Sequence, residues 1–164
     1  MSTEATTATA EKHIWELLDE VMDPEIPNVS LVELGVIDSV AISDGRVGIG
    51  MIPTFSGCPA LDVMKSDIRE KLTEAGYEAK VTVLRKPWST DRMADSAREK
   101  MKTIGLAPPA KHGGNVEWEM FTKIPCPWCE SMDTEITSPF GPTLCRAIYY
   151  CNSCQQPFER FKQL

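Results

Sequence analysis

The chain lacks any apolar run near the roughly 20 residues that a membrane-spanning helix needs, so no span of that kind is expected among its 164 residues. Its start, Met1 to Ala10, has no basic segment followed by an apolar one. That excludes a secretory signal, and residues 1–10 are expected to be a disordered tail. Histidine is scarce, with His13 and His112 the two present. There is no glycine-rich phosphate loop, no nucleophile-elbow serine and no His-Glu metal motif. Positive charge is short as well: 17 Lys and Arg face 24 Asp and Glu, a net charge of −7. Nucleic acid is a poor partner for such a chain, because binding it rests on neutralising phosphates.

What is present is cysteine, unevenly placed. Cys58 stands alone, whereas Cys126, Cys129, Cys145, Cys151 and Cys154 crowd into the C-terminal part. Without a secretory signal the expected compartment is the reducing cytoplasm. Structural disulfides are rare there, and clustered cysteines usually mean metal.

Apolar periodicity predicts a helix over Glu11 to Met22, with Ile14, Leu17, Leu18 and Val21 on one face. Asp23-Pro24-Glu25-Ile26-Pro27 stops it, because proline disfavours helix in the residue before it. Two strands are expected over Val36 to Ile42 and Val47 to Met51, joined by the turn Ser43-Asp44-Gly45. A loop, Pro53 to Pro59, leads to a helix marked by Leu61, Met64, Ile68 and Leu72. A third strand follows over Lys80 to Arg85, and a right-handed crossover would pair it in parallel. A short helix is expected from Asp91 to Ile104, ended by Gly105. The domain reading is therefore a tail (1–10), an α+β domain (11–106) ordered helix, hairpin, helix, strand, a Pro/Gly linker (107–118) and a β-rich four-cysteine domain (119–164).

Cys126-Pro127-Trp128-Cys129 and Cys151-Asn152-Ser153-Cys154 form a paired C-x2-C pattern. Two-residue spacing lets both thiolates of a knuckle face one metal, and two knuckles complete a tetrahedral four-sulfur site. This is a zinc-ribbon pattern. Four protein sulfurs leave no open position, so the site reads as structural zinc, although thiolates also suit iron or an iron–sulfur cluster. Strands are expected over Thr134 to Thr137 and Ala147 to Tyr150. Cys145 has three readings: a core thiol, a fifth ligand, or a transfer thiol. The region from Glu119 onward is near neutral, with Lys123, Arg146, Arg160 and Lys162 against Glu119, Glu130, Asp133, Glu135 and Glu159, which again disfavours nucleic acid.

Cys58 precedes Pro59, a residue suited to the first position of a helix. A thiol there meets the positive end of the helix dipole, which favours the reactive thiolate and a lowered pKa. Thr54 adds a hydroxyl, and Asp23 and Glu25 are candidate carboxylates. The bland alternatives are a buried Cys58 and an Asp23 that merely caps its turn. A solitary thiol without a partnered base is weak ground for covalent catalysis.

The elements Asp23-Pro24-Glu25-Ile26-Pro27, Leu34-Gly35-Val36-Ile37 and Thr54-Phe55-Ser56-Gly57-Cys58-Pro59 resemble the MIP18 family, also called the domain-of-unknown-function-59 family. That resemblance implies iron–sulfur cluster assembly or transfer, with the loop cysteine as functional thiol and a transient cluster at Cys58. The later elements are similar to the D-protein family of phenylacetate degradation. They are Trp88-Ser89-Thr90-Asp91, Ile104-Gly105-Leu106-Ala107-Pro108-Pro109, the knuckles, and Ser138-Pro139-Phe140-Gly141. Its members accompany the phenylacetyl-CoA epoxygenase complex, and the implied partner is the iron–sulfur flavoprotein reductase of that complex. This chain has neither the Glu-x-x-His set of a di-iron oxygenase nor a flavin motif. The expected role is that of an accessory factor, with a stoichiometric structural or regulatory subunit as the alternative. Homo-oligomerisation stays open.

Overall fold

The computed structural model describes residues 2–164, with side chains described from residue 8 onward. The chain divides into two compact units, 1–88 and 89–164.

In the first unit, helix α1 (Ser2–Leu18) and helix α2 (Leu61–Glu74) accompany a three-stranded sheet of β1 (Ile37–Ser43), β2 (Arg46–Met51) and β3 (Glu78–Val83). β1 and β2 are antiparallel, and β2 and β3 are parallel, with Ile49 opposite Val81. The β1–β2 turn places Asp44 at φ 49° and Gly45 at φ 76°. These left-handed conformations match the right-handed twist of a tight hairpin. Alternation turns Val40, Val47, Ile49 and Val81 inward, where Ile14, Leu18, Met64, Ile68 and Leu72 are also buried. Each such side chain contributes about 1.5–3 kcal/mol when fully buried.

Helix α1 departs from the expected bounds at both ends. It is helical from Ser2, where the sequence pattern suggests a tail over 1–10; Met1 lies outside the described residues. Alanines 5, 8 and 10 are strong helix formers and extend the pattern upstream. At the other end the hydrogen bonds tighten, with Glu20 N–H on Leu17 O and Val21 N–H on Leu18 O. The helix therefore stops at Leu18 rather than Met22.

In the second unit, a 3-10 turn (Thr90–Arg92) and α3 (Asp95–Thr103) precede β4 (Leu106–Ala107), the short α4 (Glu119–Thr122), β5 (Thr134–Ser138), β6 (Arg146–Cys151) and β7 (Gln156–Phe161). The strands form one sheet in the order β4-β7-β6-β5. The single helix expected over Asp91 to Ile104 is thus divided. The Ser89 hydroxyl caps the first turn by accepting from Asp91 N–H, and Met93 and Ala94 are extended before α3 starts.

The expected boundaries of the α+β domain (11–106) and the linker (107–118) also differ from the units observed. Residues 89–106 belong with the C-terminal unit. Leu106 and Ala107 form β4, pairing in parallel with β7. Pro109 O accepts from the buried Arg98, and Ala110 O accepts from Gln163. A segment rich in proline and glycine reads as a linker, yet its carbonyls are held by side chains distant in sequence.

Asp91 holds the rest of this segment. Its carboxylate accepts from His112 N–H at 2.7 Å and Gly114 N–H at 3.3 Å. The His112 N–H, above all, keeps the Asp91 carboxyl below its ordinary range. The stability gained is present above the ordinary carboxylate pKa and fades as pH falls through the lowered one. Asp91→Ala should speed amide hydrogen exchange at His112 and Gly114 at neutral pH. Unchanged protection there would mean that the carboxylate does not hold the segment.

Candidate metal centre and thiol loop

The two cysteine knuckles share one backbone geometry. Glu130 N–H donates to Cys126 O and Gln155 N–H to Cys151 O, both at 2.9 Å. Glu130 and Gln155 lie in the left-handed region, at φ 61° and 57°. Each knuckle thus curls so that its pair of sulfurs faces inward. The N–H groups of Cys129 and Trp128 bond the Cys126 sulfur, and those of Cys154 and Ser153 bond the Cys151 sulfur.

All four sulfurs lie within 4.8 Å of one another. Cys126 and Cys154 are 3.7 Å apart and Cys129 and Cys151 are 3.6 Å apart. A tetrahedron with Zn–S bonds of about 2.3 Å has edges of about 3.8 Å, so the cage fits a metal of that size. Its electrostatics call for a cation. The Cys154 N–H brings Cys151 down to about 7, while burial, aided by the neighbouring thiols, pushes Cys154 up to about 12 and burial also raises Cys126. Four sulfurs this close cannot all ionise without positive charge between them. Cys126 and Cys151 are also core residues, packed with Ala107, Ile124, Ala147, Tyr149 and Phe158. Cys129, by contrast, is exposed.

Cys145 is buried, with its sulfur 3.1 Å from the Thr143 hydroxyl, and it is not among the four clustered sulfurs.

In the first unit, Cys58 lies on the loop after β2. That loop leaves the carboxyl end of the parallel β2–β3 pair. Antiparallel pairing puts the start of β1 at the same sheet end, where Leu31 O accepts from Val36 N–H and Ile37 N–H while Leu31 N–H donates to Val21 O beside the Met22–Ser30 turn. Ile52 N–H donates to Val36 O, Leu84 N–H to Met51 O, and Trp88 Nε1 to Leu34 O. Topology therefore sets both sequence-predicted loops off from one end of the sheet, which spacing alone could not establish.

Within that edge the residues differ in role. Asp23 is buried, and its Oδ1 accepts from Glu25 N–H and Ile26 N–H, both at 2.8 Å. This is the turn-capping geometry of an Asx turn. Glu25 and Thr54 are half-buried, and Ser56 and Gly57 are exposed. Cys58 is half-buried. Pro59 is not the first helical residue: α2 begins at Leu61 with Ala60 as its cap, and Cys58 O accepts from Leu61 N–H in a turn before the helix. Iodoacetamide should alkylate Cys58 in the folded protein well before Cys145. Equal protection of both would return Cys58 to the buried-thiol reading.

Ser89, His112 and Asp91 form a constellation that the sequence reading missed. Ser89 Oγ is 3.1 Å from His112 Nε2, and His112 Nδ1 is 3.5 Å from Asp91 Oδ2. It resembles a nucleophile, base and orienting acid, but the tautomer is wrong. Gly114 N–H donates to Nδ1 at 3.0 Å. The proton then sits on Nε2, which donates to Ser89 rather than accepting its proton. The group is a structural clasp.

Known proteins match the two parts of the chain separately and together. Residues 112–162 match the PaaD zinc beta ribbon domain, and residues 11–85 match the iron–sulfur cluster assembly protein domain. A protein of Escherichia coli (strain K12), provisionally named as a component of 1,2-phenylacetyl-CoA epoxidase, is 40% identical over 162 residues, covering 96% of each chain. The chain belongs to this PaaD family. Over the N-terminal part, the Fe-S protein maturation auxiliary factor of Porphyromonas gingivalis is 36% identical across 53% of this chain and 86% of its own. The crystal structure of a DUF59 domain from Bacillus anthracis superposes with a TM-score of 0.54 at 29% identity, covering 58% of this chain and 93% of that one. This PaaD chain thus joins an iron–sulfur-assembly fold to a zinc ribbon, and the four clustered cysteines fall inside the ribbon match. No helix among the described residues is long and apolar enough to cross a membrane.

Proposed function

We propose that this protein is a cytoplasmic accessory factor that handles an iron–sulfur cluster for a multicomponent phenylacetyl-CoA epoxidase, with that system's reductase as recipient. The observation that carries this reading is the half-buried Cys58 on an exposed loop at the carboxyl end of β2, in a domain that matches iron–sulfur assembly proteins. Thiolate is the natural ligand for such clusters. A single accessible thiol holds one weakly, and weak holding is what transfer to a better cage requires. Asp23 shapes its own turn, and Glu25 and Thr54 are the candidate polar groups to assist the thiol.

The ribbon has a separate task. Cys126, Cys129, Cys151 and Cys154 hold one zinc, which closes the core around β6 and β7 and supplies no chemistry to the cargo. Reconstitution separates the two centres. Wild-type protein, treated without air with ferrous iron, sulfide and a thiol reductant, should gain visible charge-transfer absorption. Cys58→Ala should gain none while keeping its zinc. Equal uptake by both would reject the role of Cys58.

The E. coli relative is named as part of the epoxidase itself, which favours a second reading, a stoichiometric component of the oxygenase. Co-purification with the oxygenase at a fixed ratio, together with normal function of Cys58→Ala, would support that reading instead.

A further inference from the structure

β5 is an edge strand of the C-terminal sheet. An edge of this kind offers unpaired backbone groups to another chain, and proteins usually blunt it with lysine, proline or a cover. Thr134–Ser138 contains neither lysine nor proline. Its bulge falls between Ile136 and Ser138, so Thr134 to Ile136 stays regular. Ile136 is 54% exposed although it lies opposite the buried Tyr149. The Tyr149 hydroxyl bonds Phe121 O, which brings α4 to the same side of the sheet. Phe121 is 40% exposed and Trp118 75%, their rings 6.3 Å apart. Ile136 at the strand edge and the two aromatics of the α4 segment thus lie exposed on one side of the sheet.

The unpaired charges in this part of the ribbon are mainly acidic. Arg146 is paired with Glu159, Arg160 is buried against Tyr149 and Met120 O, and Lys162 covers Phe140. These pairings occupy most of the ribbon's cations. Glu117, Glu119, Glu130, Asp133 and Glu135 remain exposed, with Lys123 as the local countercharge.

We propose that the β5 edge, with Ile136, Phe121 and Trp118 as apolar anchors, docks an extended basic segment of a protein partner. This rests on the accessory role proposed above, and the partner is then a component of the oxygenase system. Main-chain pairing along Thr134–Ile136 would supply affinity, and the aromatic anchors would supply specificity. The surrounding carboxylates would speed encounter with a basic segment and make it sensitive to salt.

The test uses the full-length, zinc-loaded protein titrated against the purified reductase and the purified oxygenase, each alone. Ile136→Lys and Trp118→Ala should weaken binding to one of them at least about tenfold. Glu135→Lys, on the exposed face of the strand, should also weaken it, and wild-type binding should fall as salt rises. Zinc content and circular dichroism confirm that the variants are folded. Cys58→Ala should bind like wild type. Loss of cluster delivery in Cys58→Ala with unchanged docking by the ribbon variants would overturn this inference and leave the accessory role standing; the converse would do the reverse. The inference also fails if wild type binds neither component, if the variants bind equally well, or if a self-dimer breaks up with Ile136→Lys.

Discussion

Cys129→Ser is expected to release the zinc and unfold the C-terminal unit, while unit 1–88 keeps its structure. Cys129 sits at the solvent face of the cage, 3.6 Å from Cys151, so the substitution itself removes little packing. Its effect passes through the metal. Structural zinc in small domains contributes about 10–16 kcal/mol of binding free energy near neutral pH, much of which is folding free energy. Whole domains are stable by only about 5–15 kcal/mol. Without the metal, Cys126 and Cys151 become unpaired thiols inside a core shared with Ala107, Tyr149 and Phe158. Zinc per chain should fall from about one, as a closed four-thiolate site implies, to near zero, and near-ultraviolet dichroism from the ribbon aromatics should be lost. Retention of both would mean that the sulfur cage is not a metal site. Iron with strong visible bands in the protein as isolated would replace zinc in the assignment.

Gly105→Ala is expected to destabilise the same unit without touching a ligand. Gly105 has φ 75°, in the left-handed region that costs an ordinary residue about 1–2 kcal/mol. An added Cβ would lie 2.0 Å from Cζ2 of Trp128. Overpacking of this kind costs typically about 1–3 kcal/mol. Trp128 is 53% exposed, but it stands between Cys126 and Cys129 and its Nε1 donates to Pro157 O, so withdrawal costs that bond. The combined loss, roughly 2–5 kcal/mol on these principles, should lower the denaturant midpoint of the unit and shift tryptophan emission. A midpoint within error of wild type would show that the indole moves aside at no cost.

This contact also explains where reading the sequence succeeded and where it stopped. Local patterns were legible: Leu61, Met64, Ile68 and Leu72 announced α2, Asp44-Gly45 the hairpin turn, and the C-x2-C spacing the metal cage. These signals lie within a few residues of one another. The boundary at Trp88 was not legible, because what ties residues 89–116 to the ribbon is long-range. Gly105 meets Trp128, Thr90 N–H binds Leu164 O, and Gln163 binds Ala110 O. A run of prolines and glycines looks the same whether it swings free or is stapled down. The clasp of Ser89, Asp91 and His112 was hidden for the same reason, although Ser89 and Asp91 stand together in one motif. At the thiol edge, the residues could be named from the sequence but the sheet end from which their loops leave could not. The strand order and the antiparallel turn bring the Asp23 and Cys58 loops to one end, and the buried Asp23 proves to be the keystone of its own turn.

The most direct test of the accessory role is the iron and sulfide content of the partner reductase. It should be co-expressed with wild-type chain, with Cys58→Ala, or with no accessory chain, and purified without air. Cluster content should be full with wild type and reduced to the same low level in the other two. Equal iron and sulfide in all three would contradict it.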